Sequence, residues 1–227
     1  MLMQAGSMIP DGQLCLTFDD GPGPHTAEIS SYLRDQEISA TFFLIGEFVA
    51  ARKDVVQQLI EDGHEIGNHT HTHALLTANS VYTEIETAHE ELRSFVESRG
   101  KPIFFGPPYG NWPTVPDLNS RITQRGERLG DLYGGPVSWD FNGDDWWYWD
   151  KANGADDPKA LMEATARYDH AHRGIILMHD HSHEVQLANK NQTHRMIKEL
   201  VPSWKSRGCT FTPLRSAYRK GFLDIAM

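Results

Sequence analysis

The chain has 227 residues, 39% apolar and 10% aromatic, a composition that fits a folded globular protein and excludes an intrinsically disordered one. Thirty-one acidic against 21 basic side chains give a formal charge of −10, the wrong sign for holding a phosphate backbone, so no nucleic-acid partner is expected. The longest apolar runs, such as 41–45 and 174–178, are far too short to make a transmembrane segment.

Residues 1–12 read as an N-terminal extension or a cloning remnant. Met1 to Met8 carry no charge and lack the basic start and apolar centre of a signal peptide. Residues 13–227 read as one domain in which strand and helix signals alternate, the pattern of an α/β fold with a largely parallel sheet. Residues 13–18 form a short buried strand that ends where Asp19 and Asp20 begin, and 26–35 follow as a helix with Ile29, Tyr32 and Leu33 at helical spacing. Residues 40–45 are the next strand, and 54–62 a helix closed by Gly63. A third strand at 64–67 leads into His69-Thr70-His71-Thr72-His73. The clearest helix runs over 80–99, with Val81, Ile85, Ala88, Leu92 and Val96 inward and Gly100 as its stop. Short strands are expected at 103–105 and 136–139. A helix over 158–170 takes Asp157 as N-cap and Pro158 at its first position. Then come a strand at 174–178, a helix over 193–207 interrupted at Pro202, and a last strand at 209–212. About seven strand–helix units result. They specify an incomplete or distorted (β/α) barrel, with a doubly wound open sheet as the alternative. Cys15 and Cys209 fall in the first and last strands, where a disulfide is geometrically feasible, although two buried thiols are the simpler reading.

In such folds catalytic groups stand beyond the carboxyl ends of the strands, and Asp19, Asp20, His69, Tyr109, Asp145 and His179 all follow a strand directly. Neighbouring side chains on extended backbone point opposite ways, so Asp19 and Asp20 are expected to do different work, one toward a metal and one toward an attacking water. On a helical turn His69 and His73 share a face and grip one ion; on a strand His69, His71 and His73 would align instead. Two imidazoles and one carboxylate leave coordination positions open, as catalytic zinc-type sites require, although Co²⁺, Ni²⁺ or Mn²⁺ would also be accommodated. These are the parts of a metal-dependent hydrolase. The aromatic run 139–150, with Trp139, Trp146, Trp147, Tyr148 and Trp149 beside Asn142 and several aspartates, suits sugar rings, while at least two of its rings are expected in the core. His181 and His183 read as a solvated loop or a weak second metal site, His64 as a structural residue of its strand, and His25, His89 and His194 as surface positions.

The stretches Thr17-Phe18-Asp19-Asp20-Gly21-Pro22, His69-Thr70-His71-Thr72-His73, Pro107-Pro108-Tyr109-Gly110, Asp145-Trp146 and Leu177-Met178-His179 resemble, in that order, the polysaccharide deacetylases. That family is also called the NodB homology domain or carbohydrate esterase family 4. The resemblance implies a distorted (β/α) barrel that removes acetyl groups from N-acetylated glycans. It implies Asp20, His69 and His73 as ligands of Zn²⁺, Asp19 as general base and the Tyr109 N–H at the oxyanion. His179 would be the acid that protonates the leaving amine, oriented by Asp145. Leu177 and Trp146 would line the acetyl pocket, with Pro108 assigned to substrate binding. Peptidoglycan is the first expected substrate, then chitin-type oligomers, then acetylxylan, and an extracytoplasmic location goes with them. One departure stands out: the family carries Arg where this chain has Gly106, and that Arg pairs with the base. Arg173, Arg121 and Arg125 are the candidates to replace it, the other outcomes being a weakened base or a glycan-binding protein without turnover. A metal barrel using His69 and His71 is a third reading.

Overall fold

Strand β1, Gln13–Gly21, is buried along nearly its whole length, and its side chains alternate between two apolar layers. Leu14, Leu16 and Phe18 pack toward the helices, whereas Cys15 joins an inner cluster with Phe43, Phe104, Val137 and Ile175. A computed structural model describes residues 8–97, 102–112 and 133–223.

The elements after β1 are α1 (Thr26–Asp35), β2 (Thr41–Leu44), α2 (Gly46–Ala51), α3 (Lys53–Glu61), β3 (Glu65–Asn68), α4 (Val81–Val96) and β4 (Ile103–Phe104). They continue as β5 (Tyr133–Gly134), β6 (Phe141–Asn142), α5 (Asp145–Lys151), α6 (Pro158–Asp169), β7 (Gly174–His179), α7 (Val185–Ala188), α8 (Thr193–Ser206), β8 (Thr210–Phe211) and α9 (Leu214–Arg219). The strands run parallel in the order β3-β2-β1-β7-β6, with β8 paired to the start of β1. A bridge from Asn68 to Phe105 carries the ring from β3 to the β4-β5 pair. Among the described residues no strand pairing joins β5 to β6, so the barrel is incomplete. The opposite end is plugged by Ile9, Leu214, Ala217 and Leu223. No helix of the described residues is long and apolar enough to cross a membrane.

Several elements follow directly from the sequence. Asp157 caps α6, accepting from the Lys159 and Ala160 N–H groups at 2.9 and 3.2 Å. The expected end of α4 at Arg99 and Gly100 lies outside the described residues. Other expectations need correction. Residues 136–139 form no strand: β5, paired to β4, and β6, paired to β7, flank them, and Val137 makes only a single bridge. Pro202 does not interrupt α8. It lies on the exposed face, as does Lys198 one turn earlier, so solvent can satisfy the carbonyl that loses its partner. Cys15 and Cys209 are free and buried. Their strands are neighbours, but Cys15 belongs to the inner cluster and Cys209 to the outer one, on opposite sides of the sheet. Ile9 is buried, so packing begins within the segment read as an extension.

Candidate active site

The same alternation sets the site. On β7, Ile176 and Met178 join the outer layer, so Leu177 and His179 face inward. Register pairs Thr17 with Leu177 and Asp19 with His179, placing base and acid candidates side by side at the carboxyl ends of adjacent strands. Strict alternation would send Asp20 outward. Instead Asp20 adopts a left-handed backbone (φ 73°), and the register against β2 slips between Asp19 and Gly21. Both carboxylates therefore open into one cavity of about 380 Å³, contrary to the expectation that they diverge.

His69 and His73 lie on neither a helical turn nor a strand. Thr70 and His73 both have positive φ, 68° and 58°, and this double reversal folds the segment back on itself. Side chains hold the fold: Asn68 accepts from the Thr70 N–H at 2.8 Å, and Glu84 accepts from the His71 and Thr72 N–H groups at 3.0 and 2.9 Å. His69 and His73 Nε2 come within 3.3 and 3.1 Å of Asp20 Oδ1. His71 does not line the cavity, which removes the reading that made it a ligand.

This trio fits a cation. Asp20 Oδ1 is buried and has no hydrogen-bond partner, although two imidazole nitrogens face it. His69 Nδ1 lies 2.7 Å from the Gly106 carbonyl, to which it can only donate, so in the neutral ring the Nε2 lone pair points toward the carboxylate. Burial lowers the pKa of His69, but Asp19 and Asp20 outweigh burial and raise it, a pull that a cation would take over. Burial pulls His73 below its ordinary value, toward the neutral form that ligation needs. Burial alone would raise Asp20, but His69 and His73 hold it well below the carboxylate range.

Around the trio, burial pushes Asp19 up to about 6 against the opposing pull of His69 and His179. Its Oδ1 is buried without a partner. His179 Nδ1 is 2.7 Å from Asp145 Oδ1, and its backbone N–H donates to Asp145 Oδ2 at 2.8 Å. Burial works against the charged imidazole, yet Asp145, helped by Asp20 and Asp19, raises it to about 10. Tyr109 also has positive φ, 59°, which turns the backbone at the cavity edge, and its ring is 60% exposed. Leu177 and Trp146 line the cavity, whereas Pro108 is buried and does not. Trp139, Asn142 and Asp144 complete that wall with Trp149, whose fully buried ring belongs to the core; Trp147 is exposed outside the cavity.

The position of Gly106 is filled by a neighbour. A Cβ there would sit 3.0 Å from the Phe43 ring, which occupies the space a longer side chain would cross. Arg173 cannot substitute, because it precedes β7 at the opposite end and faces Asp11 at 3.9 Å. Arg121 and Arg125 lie outside the described residues.

Sequence reasoning missed several participants. Thr26 donates to buried Asp180, whose carboxyl burial pushes up to about 7, tying the Asp19-Asp20 turn to the segment after β7. Asn191 donates to the His179 carbonyl at 2.8 Å. His181 is buried and His183 lies over His73, so neither is a solvated loop residue. His89 is buried against Tyr133, not on the surface.

A polysaccharide deacetylase family model matches residues 9–129. A chitooligosaccharide deacetylase of Rhizobium leguminosarum bv. trifolii is 31% identical over 221 residues, covering 93% of each chain. A peptidoglycan-N-acetylglucosamine deacetylase of Bacillus cereus is 29% identical over 209 residues, 91% of this chain and 88% of that one. A crystallised peptidoglycan N-acetylglucosamine deacetylase shares the fold with a TM-score of 0.70 at 24% identity, over 93% of this chain and 90% of the other.

Proposed function

The chain belongs to the polysaccharide deacetylase family, and from that membership we propose that it is a metal-dependent N-deacetylase of glycans containing N-acetylglucosamine. The observation that carries this reading is the unpartnered Asp20 carboxylate oxygen facing two histidine nitrogens, with Asp19 and His179 flanking it. A divalent ion at Asp20, His69 and His73, Zn²⁺ first and Co²⁺, Ni²⁺ or Mn²⁺ as substitutes, would supply Lewis acidity and make solvent more acidic.

Asp19 then takes the proton from the attacking water. Its partnerless Oδ1 leaves one oxygen ready to accept, and a value near 6 keeps it ionised at neutral pH while making it a stronger base than an exposed aspartate. His179, held protonated by Asp145, delivers a proton to the departing amine, which leaves poorly as an anion. The Tyr109 N–H stabilises the oxyanion, and such a donor is worth on the order of 3 kcal/mol in the barrier. Leu177 and Trp146 bound the space for the acetyl methyl and the sugar face. The relatives named above act on chitooligosaccharide and on peptidoglycan, which share the N-acetylglucosamine unit. Peptidoglycan is the preferred substrate of this proposal, which would place the protein outside the cytoplasm.

Gly106 supports a second reading, a glycan binder that keeps the metal without turnover, because among the described residues no guanidinium pairs with Asp19. Acetate release from peptidoglycan and from N-acetylchitooligosaccharides, compared with Asp19→Asn, separates the two. Turnover that disappears in the variant supports the enzyme; binding with no acetate from either protein supports the binder.

A further inference from the structure

The five residues after His179 form a strap over the metal ligands. Its base is pinned by the Asp180 N–H donating to the Asp19 carbonyl at 3.2 Å, and by Thr26 donating to the Asp180 carboxylate. His181 seats its ring where Gly23 has no side chain, edge-on to Phe48 with centroids 5.1 Å apart. Ser182 Oγ accepts from the Glu184 N–H at 3.1 Å. Held on both sides, His183 projects back over the cavity. Its ring stacks on His73 with centroids 4.3 Å apart, and its Nε2 is 3.5 Å from the Tyr109 hydroxyl. Its Nδ1 is buried without any hydrogen-bond partner.

A buried ring nitrogen left unpaired is costly unless something absent from the protein atoms satisfies it. One ligand atom each from Asp20, His73 and His183 lie within 4.8 Å of one another, and His69 Nε2 approaches the same Asp20 oxygen at 3.3 Å. Three imidazoles thus surround the Asp20 carboxylate. We propose that His183 is a fourth, exchangeable protein ligand of the metal, closing its coordination shell at rest and withdrawing with the strap tip when substrate enters.

The proposal rests on the metal reading above and goes beyond it. A site with three protein ligands keeps a solvent position, whereas one with four is closed. The closed arrangement would guard the ion against loss and against adventitious anions. Two acids lie near the ring, Asp20 in the same donor group and Glu184 at 3.9 Å from Nε2. The other three-donor group among the described residues, His25, Glu28 and His194, lies at the N-termini of α1 and α8, where helix dipoles disfavour a cation.

The test uses the full chain with Zn²⁺ and Co²⁺ as probes. His183→Phe keeps a ring stacked on His73 but removes the lone pair, and His183→Ala removes both. Zinc affinity by chelator competition should fall at least about tenfold in both variants, the low end of what even outer-shell changes cost. The cobalt-loaded wild type should show the strong visible absorption of a four-coordinate ion. Both variants should show a shifted and altered visible spectrum, because solvent takes the place of the imidazole. Wild-type affinity and an unchanged cobalt spectrum in His183→Phe would overturn the proposal while leaving the three-ligand site intact. A wild type that binds neither ion defeats the metal reading itself, and a His73→Ala control that loses metal confirms that the assay reports this site.

Discussion

Replacing Asp145 by Asn tests whether a buried carboxylate keeps His179 charged for its work as an acid. The fold should survive, because an Asn oxygen can still accept the 2.8 Å bond from the His179 N–H. The charge is lost, and the amide can present an N–H to Nδ1, which favours the wrong tautomer. The rise of His179 from 6.5 to about 10 corresponds to about 5 kcal/mol of preference for the charged ring. Burial opposes that preference, and Asp145 is the chief group sustaining it. A cation at Asp20 would cancel the Asp20 share and leave Asp145 more dominant still. If His179 returned to its ordinary 6.5, about 3% would be protonated at pH 8, roughly a thirtyfold loss before any misorientation. Misorientation adds to this, so kcat should fall on the order of 10²–10³ at pH 8. The wild-type rate should hold to clearly higher pH than the variant, which should already decline above pH 7. Acetate release measured from pH 6 to 10.5 supplies both numbers. A variant within threefold of wild type at pH 8, with the same alkaline limb, would refute the assignment of His179 as acid and Asp145 as its support.

The other expectations turn on other residues. On the acid side, Asp19 must be ionised to accept a proton and its value is raised, so kcat/KM should be lost as pH falls through about 6, near tenfold per pH unit. Asp19→Asn should abolish that limb and lower kcat by about 10³ while zinc stoichiometry, read by atomic absorption, is unchanged. Gly21→Ala would place a Cβ 2.8 and 2.9 Å from Asp180 Oδ1 and Cγ; it should cost about 1–3 kcal/mol in urea unfolding, with partial recovery when Asp180 is also cut to Ala. His64 accepts from the Ala40 N–H at Nδ1 and lies 3.0 Å from the Ser30 carbonyl at Nε2, an arrangement that fixes the neutral ring, and burial lowers its pKa. Below pH 6.5 the unfolded chain binds a proton that the folded one refuses, so stability is lost as pH falls. Just below pH 6.5 wild type should shed stability more steeply than His64→Asn, by up to about 1.4 kcal/mol per pH unit; equal slopes would contradict this.

The strands that carry the site were legible because period-two burial survives in short motifs: residues 13–18 and 174–178 alternate between two apolar layers, and their register then places Asp19 beside His179. The histidine pair was legible as chemistry but not as geometry. Both expected conformations, helix and strand, assumed ordinary backbone, whereas Thr70, His73 and Asp20 occupy left-handed conformations that non-glycine residues rarely adopt and that their identities do not announce. Tertiary contacts sustain them, among them the Glu84 anchor contributed from α4. Helix α5 was read as an aromatic sugar-binding run because its tryptophans mask a helical period. The structure divides them: Trp149 packs inward, and Trp146 and Trp147 stay exposed. The alternation of His179, His181 and His183 suggested a weak second metal site at the last two beside a solvated loop, but only the return of the strap over His73 brings His183 to the Asp20 site.

Acetate release from N-acetylglucosamine-containing glycan, followed through chelation and zinc add-back, tests the central claim most directly. The protein should lose activity to EDTA and regain it with one equivalent of Zn²⁺, and Asp20→Ala should regain nothing. Acetate release that persists after the metal is stripped, or that returns equally in Asp20→Ala, would contradict it.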